Sequence, residues 1–132
     1  MTGSRRRARL VSALAAAEGL ALLARPVQVG AALGLAERPP PARVVRVLGA
    51  RQVLQHAAVV LAPTPTAVRV TAATELLHAT SMLAAAVLWP RHARSAVVSA
   101  TLAGGTALAG LATAPPASPR RDDALWAPPR TG

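Results

Sequence analysis

Apolar runs separated by short clusters of arginine and proline set the pattern of this chain. Residues 10–24 read LVSALAAAEGLALLA, apolar except for Glu18. As helix they rise ~23 Å, short of a ~30 Å hydrocarbon core, but the flanking Arg9 and Arg25 can lengthen a crossing by snorkelling. Glu18 and the lack of a small-x-small cleavage site argue against a removed signal peptide and for a retained helix. Residues 26–36 are too short to span alone. Pro26 starts a new helix or kinks the first, and Pro39, Pro40 and Pro41 break the chain firmly. Three longer runs follow at 42–61, 67–89 and 96–114. Pro63 and Pro65 close the first of these with a tight turn, Pro90 the second, and Pro115, Pro116 and Pro119 the third. Residues 96–114 carry no charge at all and match one membrane crossing in length.

No run argues for strands, and abundant alanine and leucine favour helix throughout. A soluble helical bundle would need a polar face on every helix, and residues 96–114 offer only Ser99, Thr101, Thr106 and Thr113. The pattern therefore predicts an all-α protein with four transmembrane helices in an antiparallel bundle and a short extra helix after the first. Residues 1–9 are expected to form a frayed basic segment, 10–114 the membrane domain, and 115–132 a disordered tail rich in proline and arginine.

Composition sharpens this picture. The 132 residues suffice for one domain, and alanine supplies 33 of them, leucine 18 and valine 14. Isoleucine, phenylalanine, tyrosine, cysteine, asparagine and lysine are absent. That composition argues against a β-sandwich or barrel and a disordered chain, and the lack of cysteine rules out a disulfide framework and any cysteine-ligated metal.

The net charge is +10, from 15 arginines against 5 acids. Such a balance raises the possibility of nucleic-acid binding, but the arginines sit in the gaps between apolar runs. The only aromatics for stacking are Trp89 and Trp126. Basic caps on apolar segments are the pattern of a membrane protein, with Trp89 where an interfacial anchor belongs. With the N-terminus in the cytoplasm, Arg5, Arg6, Arg7, Arg9, Arg69 and the tail arginines Arg120, Arg121 and Arg130 lie inside. Arg25, Arg38, Arg43, Arg46, Arg91 and Arg94 then lie outside. The small excess inside favours both termini cytoplasmic.

Polar groups within the apolar runs are the most informative residues, because an ionisable side chain there costs roughly 2.5–3.5 kcal/mol unless partnered. The first run contains Glu18. The second contains Arg51, Gln52, Gln55 and His56, which fall within about 140° of one helix face. The third contains Thr71, Thr74, Glu75, His78 and Ser81 along one flank. Both stripes are expected to point inward, with Arg51 paired to Glu75 or Glu18. Such a cluster serves either as internal glue that fixes helix register or as a polar cavity for a proton, ion or small ligand. Glu75-x-x-His78 has the spacing of a di-iron helix motif, but the second such pair and the further carboxylates are missing. His56, Glu75 and His78 would make up a mononuclear zinc set, and no metal or other cofactor is expected. Gly30 and Gly34, with Gly104 and Gly110, fall in small-xxx-small patterns that allow close helix packing, within the chain or between copies. Nucleophile elbows, phosphate loops and dinucleotide fingerprints are absent, so no catalytic residue is assigned.

The run Arg46-Val-Leu-Gly49-Ala-Arg51, together with Glu75-x-x-His78-x-x-Ser81-Met82, resembles small four-helix membrane proteins of actinobacteria, and distantly the DoxX-like group. The resemblance covers roughly residues 10–113. It implies a four-helix membrane fold in a bacterial plasma membrane and brings no established activity. The family pattern often has Asp where this chain has Glu75. The expected partners are the lipid bilayer and either further copies of the chain or another membrane subunit. The expected function is a structural or accessory role, with a channel- or transporter-like element built on the Glu18, Arg51, Glu75 and His78 cluster as the alternative.

Overall fold

A computed structural model describes residues 3–35 and 37–116. Every regular element among them is helical: α1 (Gly3–Ala24), α2 (Pro26–Ala32), α3 (Ala42–Leu61), α4 (Pro65–Leu88), a 3-10 turn (Pro90–His92) and α5 (Ala93–Ala112). The expected disordered tail and Trp126 lie outside the described residues from 117 onward. Residues 1–9 were expected to fray, yet α1 runs from Gly3. Arginine is a good helix former, and Ala8 is buried against Val59 and Val68, which ties the first turns down.

Proline sets most boundaries. Pro26 occupies the first turn of α2, where its missing N–H leaves nothing unsatisfied. Pro65 does the same for α4, and the Thr64 hydroxyl caps that helix by accepting from the Ala67 amide at 3.1 Å. The axis turns by 115° between α1 and α2. The chain reverses after α2 at Gly34, whose φ of +72° suits glycine.

Three helical stretches are long and apolar enough to cross a membrane: Ala42–Leu61, Pro65–Leu88 and Pro90–Ala112. The bent pair α1 and α2 brings the number to four if it counts as one span. The 20 residues of α3 rise ~30 Å, the hydrocarbon thickness of a bilayer.

Size is distributed inside-out. Eight of the eleven buried hydrophobic residues are alanine, while Leu14, Leu54, Leu61, Leu77 and Val87 are each at least two-thirds exposed. Water would penalise such a surface, whereas lipid tails lose nothing by it and small interior residues let helices approach. Hydroxyls on the helix surfaces are satisfied locally. Thr74, Thr80, Ser81, Thr101 and Thr106 each donate to the carbonyl four residues earlier.

The helices associate chiefly as α1 with α3 and α4 with α5. In the first pair, Gly19 and Gly49 meet backbone to backbone. A methyl group at Gly19 would lie 2.8 Å from the Gly49 carbonyl oxygen, and one at Gly49 would lie 2.6 Å from that of Gly19. In the second pair, Ala79, Ala100 and Ala103 form the seam, with Met82 against it. Of the glycines expected in close packing, within the chain or between copies, Gly30, Gly104 and Gly110 have no close neighbour inside the chain, and a methyl group at Gly34 would meet the Arg94 guanidinium at 2.7 Å. Methyl groups at Gly30, Gly104 and Gly110 would meet nothing within 4 Å, and Gly34 serves the turn.

Gly19→Ala and Gly49→Ala should each lower thermal stability in detergent by about 1–3 kcal/mol, the range for overpacking a tight contact. Gly104→Ala should change it by less than ~0.5 kcal/mol. Thermal unfolding of the purified variants checks both.

Candidate functional site: a polar cluster beside an apolar cavity

The two helix pairs are joined by a polar triad at mid-height. Arg51 on α3 donates from Nη2 to Glu75 Oε1 on α4 at 3.1 Å, and from Nε to Gln55 Oε1 at 2.9 Å. Gln55 donates from Nε2 to the same Glu75 oxygen at 3.1 Å and lies 3.4 Å from the Thr71 carbonyl. Arg51 and Gln55 stand four residues apart, so one helix face presents both to Glu75. Glu75 is buried with Arg51 beside it, an arrangement in which a charge-assisted hydrogen bond offsets desolvation.

Each pair also carries a polar link of its own. Within α1–α3, Gln52 donates to Glu18 Oε2 at 3.3 Å. Within α4–α5, His78 Nε2 and Ser99 Oγ are 3.0 Å apart. Glu18 thus takes an amide rather than Arg51, and Arg51 takes Glu75. His56 is buried, its Nε2 stands 3.9 Å from Glu75 Oε1, and its ring nitrogens make no hydrogen bond among the described residues. Beside it is a space of about 10 Å³ bordered by Ser12, Thr71 and Glu75, the threshold volume for one water molecule. Thr74 and Ser81, expected on the inward stripe, spend their hydroxyls on their own helix, and Ser81 is exposed.

On one side of this cluster the two pairs separate around a cavity of about 340 Å³. Glu18, Arg51, Gln52, Glu75 and His78 border its polar end, and Leu22, Val29, Leu33, Val45, Met82 and Leu102 are among its apolar walls. The bend after α1 creates the space, because α2 and the loop up to Pro41 swing aside and wall the cavity instead of filling it. On the other side of the cluster, Ala8, Val59 and Val68 close the interior. The cavity thus lies to one side of the polar cluster and the buried Ala8, Val59 and Val68 to the other.

Among the described residues no group of three His, Asp or Glu side chains is placed to hold a metal ion. His78 is drawn toward Ser99 on α5 while His56 sits on the sealed side, which separates the two imidazoles of the conceivable zinc set. Sequence reading missed Ser99 as the partner of His78 and missed the Gly19–Gly49 contact. The second had a signal: Ala8, Ser12, Ala15 and Gly19 form a helical stripe of small residues, all buried. No family model matches the chain, and no curated protein or solved structure matches it either.

Removing one member of the triad strands the others. Glu75→Ala should destabilise the protein by about 3–5 kcal/mol, as for other broken buried pairs. Arg51→Glu should be similarly damaging. The exchange Arg51→Glu with Glu75→Arg should recover a large part of the loss, while Arg51→Glu with Glu18→Arg should recover little. Thermal denaturation of the set measures this, and equal recovery by both exchanges would contradict the pairing. His56→Leu, which removes ring nitrogens that make no hydrogen bond among the described residues, should leave stability within about 1 kcal/mol of wild type or raise it.

Proposed function

We propose that this chain is a four-span antiparallel helical membrane protein of the bacterial plasma membrane, with both termini cytoplasmic. In this reading it works as a transporter-like element whose polar-ended cavity binds a small molecule. One observation carries the reading: five of the polar residues in the apolar runs border a cavity of about 340 Å³ that is sealed on the far side by Ala8, Val59 and Val68. That volume is in the range of small-molecule sites, which are mostly apolar with a few convergent polar groups. Purely structural glue would close over its polar groups, whereas here ionisable side chains face open space at a depth where their burial is costly. A cavity open at one end and closed at the other is one of the two states that alternating access requires. In the proposed orientation the opening faces away from the cytoplasm.

The accessory-subunit reading keeps one observation in its favour. Space lies open beside Gly104, Gly105 and Gly110 on α5, enough for the helix of a second chain to approach. Crosslinking from cysteines at these positions in native membranes would reveal such a neighbour.

The chain has no native cysteine, so single cysteines report access directly. Ser99→Cys and Leu102→Cys, at the cavity, should react with a membrane-impermeant thiol reagent from outside intact cells at least tenfold faster than Val59→Cys and Ala107→Cys in the sealed half. Equal reactivity of the two sets would refute the one-sided chamber, and reaction of the first set only from the cytoplasmic side would reverse the topology.

A further inference from the structure

The charges around the cavity do not cancel. Glu75 is neutralised by Arg51 at 3.1 Å. Glu18 has no ion-pair partner among the described residues: its hydrogen bond comes from the Gln52 amide, which carries no charge. Among the described residues Arg51 is the arginine that lines the cavity, its guanidinium already engaged by Glu75 and Gln55, while the Arg94 guanidinium lies against Gly34 between the lining residues Leu33 and Leu35. The formal sum over Glu18, Arg51 and Glu75 is one negative charge.

The walls beyond this point are mostly aliphatic, with Ser95, Ser99 and His92 as their polar members. Leu22, Val29, Leu33, Val45 and Leu102 offer contact area and no hydrogen bonds. An occupant that matches these walls is apolar over most of its surface and meets, at the polar end, a Glu18 carboxylate that has no ion-pair partner among the described residues. An inorganic cation would leave the aliphatic walls unused and would need several oxygen ligands, and among the described residues no group of three His, Asp or Glu side chains is placed to supply them. An organic anion would bring like charge against Glu18 and Glu75.

We propose that the cavity accommodates a lipophilic organic cation, an amine or onium compound of mainly hydrocarbon surface, with Glu18 as its counter-charge. This rests on the reading of the cavity as a binding chamber and names its substrate class. Burial of the hydrocarbon body supplies affinity, and the carboxylate selects the sign of charge, because an uncompensated charge in a low-dielectric site is expensive to both partners. Gln52 acts as a positioning residue that orients the carboxylate toward the cavity. When no cation is bound, the same carboxylate is free to hold a proton. Exchange of one for the other would keep the site neutral.

The test uses two ions of matched shape and opposite charge, tetraphenylphosphonium and tetraphenylborate, with neutral triphenylphosphine oxide as a third probe. Binding is measured to the full chain in lipid nanodiscs, with empty discs subtracted. Saturable binding of tetraphenylphosphonium, at least tenfold tighter than that of tetraphenylborate, is expected. Glu18→Gln should weaken it at least tenfold, Glu18→Asp should retain most of it, and Ser99→Trp, which fills the cavity, should abolish it. The wild-type comparison of the two ions needs no variant, so it decides the sign of charge even if Glu18→Gln fails to fold. Binding of tetraphenylborate or the neutral oxide that equals or exceeds that of the cation, and is lost in Ser99→Trp, would overturn the cation assignment while leaving the chamber standing. Undiminished binding of the cation to Glu18→Gln would do the same. Absence of saturable binding by all three probes would overturn the chamber together with the assignment.

Discussion

A charge placed among aliphatic side chains must find its opposite, and in this protein that requirement is met by one guanidinium and one carboxylate. Arg51 and Glu75 lie on different helix pairs, so their neutralisation is also the joint that holds the pairs together. Gln55 braces the joint from both sides by accepting from Arg51 and donating to Glu75. Beyond it, the pairs meet toward one end, where Ala8, Val59 and Val68 cluster and α1 also packs against α5. At the other end they stay apart, and the cavity is the space between them. Electrostatic pairing at mid-height and alanine-sized packing below it together decide where that space can exist.

The packing follows from side-chain size. Glycine and alanine face neighbouring helices, and leucine and valine face outward. Close approach at Gly19 and Gly49 makes α1–α3 a tight unit, and the alanine seam does the same for α4–α5. Two stiff pairs with a narrow contact between them form a different object from a bundle in which each helix touches two neighbours equally.

Helices and their ends were largely legible in the sequence, because Pro26, Pro63, Pro65 and Pro90 punctuate the chain at places where a missing N–H matters. The grouping of Arg51, Gln55 and Glu75 was legible from helical spacing. Two things were not. Hydrogen-bond choice between Arg51 and Gln52 for Glu18 depends on the rotation of α1 against α3, which the Gly19–Gly49 contact sets and which periodicity alone does not encode. The small-residue pairs at Gly104 and Gly110 carry the same sequence signature as a tight interface yet face open space within the chain, since composition records that a close approach is permitted and not that it occurs. Residues 1–9 misled because charge was read as a sign of fraying, whereas Ala8 anchors that stretch to Val59 and Val68.

The pairing of α1 with α3, rather than with the helix that follows it in the chain, has a consequence for biogenesis. α1 carries Glu18 and four arginines near its start, and it reaches the apolarity of a span only together with α2. Its glycine contact and its amide donor Gln52 both arrive with a segment made some thirty residues later. Until α3 has been made, the leading helix therefore has neither its close glycine contact nor an amide donor for Glu18.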